Sequence, residues 1–175
     1  MGNATAVEEW IGREHTDPPG DIECERGYIL HWLEATENAN PLYWDEAVAK
    51  ELTDGLIAPP SMLSVWMRPL QFVPGRKDTS MPLSLHFDLK EVFDLPDGVV
   101  SASEMTLHAP VRPGDRITTT QSIRDISDEK TTRVGTGRFW TIDVTHRDET
   151  GEVKGVETYE MFSYGRTTDT PDPGR

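Results

Sequence analysis

The sequence predicts an α+β domain in which a curled antiparallel sheet wraps a buried helix, and three observations carry that expectation. Helical periodicities fill the first half, a period of two fills the second, and the stretch "GLIAPPSMLSVWMRPLQF" between them is apolar on every side. At 175 residues the chain has the usual size of a single domain, long enough to bury a core without staples.

Residues 1–21 are polar and broken by "DPPGD", which predicts a flexible lead-in with one short helix around 8–13. The domain proper is expected over 22–166. Tyr28, Ile29, Trp32 and Leu33 recur at i, i+1, i+4 and i+5, the stripe of an amphipathic helix over 27–36 that ends before Pro41. Asp45 is suited to cap a second helix over 46–52, closed by Gly55. The pair Pro59 and Pro60 puts the start of the buried helix at 61, with Ser61 as N-cap, and Pro69 stops it after 67. Leu83, Leu85, Phe87 and Leu89 then alternate with Ser84, His86 and Asp88, which reads as a strand and leaves His86 exposed. Four more strands are expected over 99–107, 115–123, 134–144 and 153–164, joined by the turn clusters "DLPDG", "VRPGD", "SDEKTT" and "RDETGE". A six-stranded version recruits residues 22–25 as an edge. Such a sheet leaves an edge free to pair with a second copy or a cousin. Residues 167–175 read as a disordered tail.

Composition narrows the function. Lys plus Arg is 17 and Asp plus Glu 31, a formal charge of −14, which repels phosphate backbones and argues against a nucleic-acid partner. No apolar run is long enough for a membrane span, and the N-terminus has neither the basic start nor the apolar core of a signal peptide, so the expected location is the cytoplasm. The single cysteine, Cys24, forms no internal disulfide and no metal site, and is expected to be a packing residue. Trp32, Trp44 and Trp66 are expected in the core, His31 in a structural role, and Glu34 and Glu37 on a solvated helix face.

The segments "GYILHWLEAT", "ENANPLYWDEAVAKE", "GLIAPPSMLSVW" and "PVRPGDRITTTQSI" resemble the MaoC-like branch of the hot-dog fold, of the FAS1-like dehydratase N-terminal type. The resemblance covers roughly 23–166, and Asn40, Pro41, Asp45 and Ala47 are its most specific part. Members of the family hydrate 2-enoyl-CoA thioesters or dehydrate the 3-hydroxyacyl forms. Their motif D-x-N-P-x-H supplies the carboxylate and imidazole that activate a water, and a later I-A-H-G supplies a glycine N–H for the thioester oxygen.

Laid on that motif, this chain has Asn38 for the Asp, Tyr43 for the His, and Ile57, Ala58, Pro59 and Pro60 for the tetrad. An amide is no base at neutral pH, a phenol ordinarily titrates near 10, and a proline has no N–H. The catalytic positions Asn38, Tyr43 and Pro60 therefore read as degenerate. The resemblance is closest to the non-catalytic subunits that accompany actinobacterial enoyl-CoA hydratases acting on steroid side chains, and the silent halves of fatty-acid dehydratases. It implies a catalytic MaoC-like partner, a heterodimer or dimer of heterodimers, and an acyl-CoA as substrate with no cofactor or metal. Asn38, Asn40, Tyr43, Pro59, Pro60, Ser61, Met62 and Trp66 are the expected pocket residues, with volume for a bulky acyl group beyond the helix that Pro69 cuts short. Arg76, Lys77, Arg133 and Arg138 are the candidates for the CoA phosphates. The alternatives are an active homodimeric hydratase or thioesterase with a non-standard base, and an acyl-CoA-binding module without chemistry.

Overall fold

A computed structural model of the chain describes residues 3–77 and 82–165; the expected tail at 167–175 lies outside them. Six strands form one antiparallel sheet in the order β1-β3-β5-β6-β2, with β4 also pairing β5. They are β1 (Glu14–Thr16), β2 (Asp97–Leu107), β3 (Thr118–Ile126), β4 (Lys130–Thr132), β5 (Gly135–Arg147) and β6 (Val153–Gly165). Register shifts between Val100 and Ala102 and between Ile123 and Asp125 bulge the sheet and deepen its curl.

The lead-in is the first departure from expectation. It contains α1 (Asn3–Trp10) and β1, the edge strand expected at 22–25. Trp10 sits in the core and Glu14–Thr16 pair with Thr120–Ser122 of β3, so this polar stretch is held by the sheet. Residues near 22–25 form no strand, although the Cys24 backbone exchanges hydrogen bonds with Asp115 and Gly114 at 2.8 Å.

The expected helices at 27–36 and 46–52 are α2 (Arg26–Ala35) and α4 (Glu46–Thr53), with a single turn, α3 (Pro41–Trp44), between them. Glu37, at φ 49°, reverses the chain after α2. The Asn38 N–H reaches the Leu33 carbonyl (2.9 Å) and the Glu37 N–H that of Glu34, the pair of bonds that satisfies a helix C-terminus. Asp45 caps α4 through Oδ1 to the N–H groups of Ala47 and Val48.

The buried helix and the first strand need correction. The apolar stretch forms a 3-10 helix, Pro60–Val65, not an α-helix over 61–67, and its N-cap is Pro59, not Ser61. A proline is tolerated at a helix start because its missing N–H has no partner there anyway. The segment read as a strand at 83–89 is a helix, α5 (Ser84–Phe93), with Leu85 and Leu89 buried. Residues four apart share a face in a strand and in a helix alike, so the spacing of that pair could not separate the two.

Two apolar clusters form the core, the first of them on the sheet. α1 and α5 pack over Ile123, Ile142 and Met161. α2 and the 3-10 helix pack over Ile117 and Val111, with Trp66 and Cys24 inside. Between the clusters, β3 turns Thr119 and Gln121 inward, flanked by Ile117 and Ile123 on the same face, and His146 and Glu157 are buried on β5 and β6.

Candidate functional site

The N-P motif lies on the turn between α2 and α4. Asn38 Oδ1 accepts the N–H of Asn40 at 3.0 Å, and the Asn38 carbonyl accepts Trp44 Nε1 at 2.7 Å. Asn40 Oδ1 in turn caps α3 by accepting the Leu42 N–H. The side-chain oxygen of Asn38 is thus engaged with its own backbone. Tyr43 packs against the cluster around Leu33 and Trp66. Asn38 lines an open groove with Glu37, Pro41 and Trp44. Trp44 is 44% exposed, so it belongs to that groove and not to the core; His31 is also exposed.

The tetrad lies in a different cleft. The Ala58 N–H donates to the Val111 carbonyl at 2.8 Å, which pins "IAPP" to the "PVRPGD" turn. Pro59 and Pro60 line the cleft with Leu63, Leu107, His108 and Lys154. The turn is itself braced: Asp115 accepts the Arg112 N–H, Gly114 takes φ 99°, and the Arg112 guanidinium donates to the Thr53 carbonyl at the end of α4. Lys154, nearly buried, ties Asp115 (3.5 Å) to Asp148 (2.8 Å) and Glu152 (2.7 Å) of the β5–β6 hairpin. Against the opposing cost of burial, Lys154, the Thr150 hydroxyl and the N–H groups of Glu152 and Thr150 together hold Asp148 well below the usual carboxylate range.

The structure divides the remaining expected pocket residues. Met62 and Trp66 are buried in the second cluster, so they support the 3-10 helix and do not line the cleft; Ser61 is exposed at its start. Two of the four phosphate candidates are already occupied. Arg76 forms a fork with Asp21, both bonds 2.7 Å, which draws Asp21 down to about 2. Arg138 donates to the Ser127 carbonyl and lies over the Phe93 ring. Lys77 and Arg133 are exposed on separate loops. Burial pushes the Cys24 thiol up to about 12, which keeps it protonated and inert. Among the described residues no cluster of His, Cys, Asp and Glu could hold a metal ion, and no helix is long and apolar enough to cross a membrane.

Sequence reasoning missed a buried polar band. His146, fully buried, meets Glu157 across the strands at 3.0 Å. Asp17 Oδ2 accepts from Thr119 Oγ1 and Gln121 Nε2. His146 alternates with Val144 and Ile142, and that inward phase was the available signal.

Comparison with known proteins gives the same fold. Residues 9–154 match the family described as FAS1-like, dehydratase domain region. A "Probable enoyl-CoA hydratase alpha subunit" from Thermomonospora curvata is 31% identical over 166 residues, covering 90% of this chain and 50% of that protein. The "3-oxo-4,17-pregnadiene-20-carboxyl-CoA hydratase alpha subunit" of Mycobacterium tuberculosis is 33% identical over 114 residues, 63% of this chain and 35% of that one. The chain thus spans half or less of the length of these curated relatives. A chain in the crystal structure of the ChsH1-ChsH2 complex from M. tuberculosis superposes with a TM-score of 0.71 at 22% identity, covering 87% of this chain and 90% of that one. With its antiparallel sheet and a family match over most of its length, the chain belongs to the FAS1-like dehydratase family of MaoC-like hot-dog domains.

Proposed function

We propose that this chain is the non-catalytic subunit of a heteromeric 2-enoyl-CoA hydratase, working in the reverse direction as a 3-hydroxyacyl-CoA dehydratase. The observation that carries the reading is the joint state of three positions. Asn38 is hydrogen-bonded to its own turn, Tyr43 is half-buried against the second cluster, and Pro60 has no N–H to offer. In the assembly, the partner's carboxylate and imidazole deliver hydroxide to C3 and a proton to C2 of the enoyl thioester, and the partner's glycine N–H steadies the enolate oxygen.

This chain supplies surface and shape. β2 is eleven residues long, pairs among the described residues with β6, and is exposed along nearly its whole length, Val99, Val100, Met105 and Leu107 included. An edge that long and apolar is a pairing strand for another sheet. The names of the relatives, alpha subunits and a two-protein complex, support the same arrangement. The substrate class is a bulky acyl-CoA, a steroid side chain or a fatty acyl thioester.

The test is loss of conjugated-thioester absorbance with an enoyl-CoA, first on the purified chain and then after co-expression with a MaoC-like neighbour carrying an intact Asp and His. Turnover is expected in the mixture alone. The double variant Asn38→Asp, Tyr43→His is expected to remain inactive by itself, because Pro60 still lacks the oxyanion donor. Robust turnover by the lone wild-type chain would replace this reading with an active homodimer.

A further inference from the structure

Residues 55–77 contain no Asp or Glu, in a chain that has 31 of them, and Arg68, Arg76 and Lys77 are their only charges. The end of this stretch is a loop closed on a single carboxylate. Asp21 accepts the Leu70 N–H and Arg76 Nη1 at Oδ2, and Arg76 Nη2 at Oδ1, all at 2.7 Å. Between those two residues the chain turns tightly: the Arg76 N–H donates to the Val73 carbonyl at 3.0 Å, and Gly75 takes φ 83°. Asp21 is itself held against the core, since a Cβ on neighbouring Gly20 would stand 2.0 Å from the Trp66 carbonyl oxygen.

What this clamp presents is apolar. Phe72 is 81% exposed, more than any other large apolar side chain among the described residues, and Leu70 is 43% exposed. A slack loop could fold that ring back against the protein. This one holds it in water, at a cost in chain entropy and in apolar hydration. A rigid aromatic projecting from a braced loop has the form of an interface anchor, since little ordering is left to be done on binding. Arg76 is spent on Asp21, which leaves Arg68 and Lys77, both exposed, as the cations that flank the loop.

The same chain carries a surface of the opposite character. The groove at the N-P turn, about 520 Å³, is lined by Ala39, Pro41 and Trp44 with Glu34, Glu37 and Asp45 around them. The bond from Trp44 Nε1 to the Asn38 carbonyl fixes the indole while leaving it 44% exposed. A coenzyme A thioester is a polyanion, and these three carboxylates repel it. They attract a cationic loop with an aromatic tip.

We propose that the 69–77 loop of one copy of this chain docks in the acidic groove of a second copy, Phe72 against Trp44, with the flanking cations facing Glu34 and Glu37. The aromatic pair supplies the apolar contact and the charges supply the orientation. A membrane surface is a poorer occupant for the loop, because a chain of formal charge −14 is repelled by anionic lipid. The proposal goes beyond the subunit reading: it joins copies of this chain and leaves β2 for the catalytic partner.

The experiment is sedimentation velocity on the purified lone chain over a range of concentrations. It needs neither substrate nor partner, so a failed activity assay and a failed association are separate results. The wild type is expected to self-associate, and to do so less as NaCl is raised. Phe72→Ala removes an exposed ring and Glu34→Lys reverses an exposed charge, so neither should disturb the fold. Each is expected to weaken association at least about tenfold. Mixed, the two variants should associate again, because the first keeps an intact groove and the second an intact loop. A wild-type chain that stays monomeric at every concentration, a variant that associates like the wild type, or a mixture that fails to recover overturns the proposal. In the monomeric case, loss of capture of the co-expressed MaoC-like subunit by Phe72→Ala would give the loop to that partner instead.

Discussion

Strands β5 and β2 are nearly equal in length, thirteen and eleven residues, yet they are opposite kinds of strand. β5 is paired on both sides and alternates buried with half-buried residues, turning Trp140, Ile142, Val144 and His146 into the core. Among the described residues β2 is paired on one side only, and all of it except Asp97 is exposed. A sheet residue is stabilised by what packs on its face and not by ladder bonds alone, so β5 belongs to the fold of this chain. β2 has the length and apolar content of an interior strand without an interior, which is how half of an interface looks before its partner arrives.

The largest effects should therefore divide by strand. Ile142→Ala on β5 is expected to cost the lone chain about 2–5 kcal/mol in urea denaturation, the usual range for emptying a filled core site. Met105→Ala on β2 should stay within about 0.5 kcal/mol, as exposed substitutions do. The order reverses when partner capture is measured, where Met105→Lys is expected to abolish association with the co-expressed subunit. If Met105→Ala destabilises the lone chain as much as Ile142→Ala, then β2 is already covered, by self-pairing, and the edge is not reserved for another protein.

The same contrast explains what could be read from sequence. β3, β5 and β6 were legible because a buried face writes period two into the chain, and α4 because Asp45 caps it locally. β1 was not legible: Glu-His-Thr has no apolar residue, and its pairing with β3 is set more than a hundred positions away. α5 was misread because Leu85 and Leu89 fit both periods. At the site, Asn38, Tyr43 and Pro60 were visible as candidates from motif spacing. The quenching of two of the basic candidates was not. Arg76 finds Asp21 across 55 residues, and Arg138 finds Ser127 and Phe93 only once the sheet has folded.

His86 joins the two strands and gives the middle effect. From α5, its Nδ1 accepts Trp140 Nε1 of β5 at 3.0 Å, and its Cε1 lies 3.6 Å from where a Cβ on Gly98 of β2 would sit. Burial, helped by the charge of Lys90, pulls its pKa down to about 4. Unfolded, the ring titrates near 6.5, so between those values the unfolded chain takes up a proton that the folded one refuses. Stability is therefore lost as pH falls from about 6.5 towards about 4. Discounted for a ring still partly in solvent, the loss at pH 5 is about 1 kcal/mol. His86→Gln keeps an acceptor for Trp140 and removes the titration. Urea midpoints at pH 7 and pH 5 should therefore separate further for the wild type than for the variant. Equal separations would mean that His86 is as open as the strand edge beside it.

The smallest effect is expected at Gly98, the glycine of β2 beneath that ring. A Cβ there would stand 3.0 Å from Ser163 Oγ, a buried hydroxyl with no hydrogen bond to hold it. On β5 the corresponding intrusion is of another order: a Cβ on Gly137 would lie 1.9 Å from the Ser163 carbonyl oxygen and force the strands apart. At Gly98 the tight contact is with a side-chain oxygen that can rotate away, and alanine restricts the unfolded chain by about 0.4–1 kcal/mol in favour of folding. The two contributions nearly offset, so Gly98→Ala should change the urea midpoint by less than the equivalent of about 0.5 kcal/mol. A loss several times larger would show that Ser163 cannot turn. The corner where α5 meets β2 would then be packed as closely as the centre of the sheet, and the exposed character of β2 would begin only past its first turn of chain.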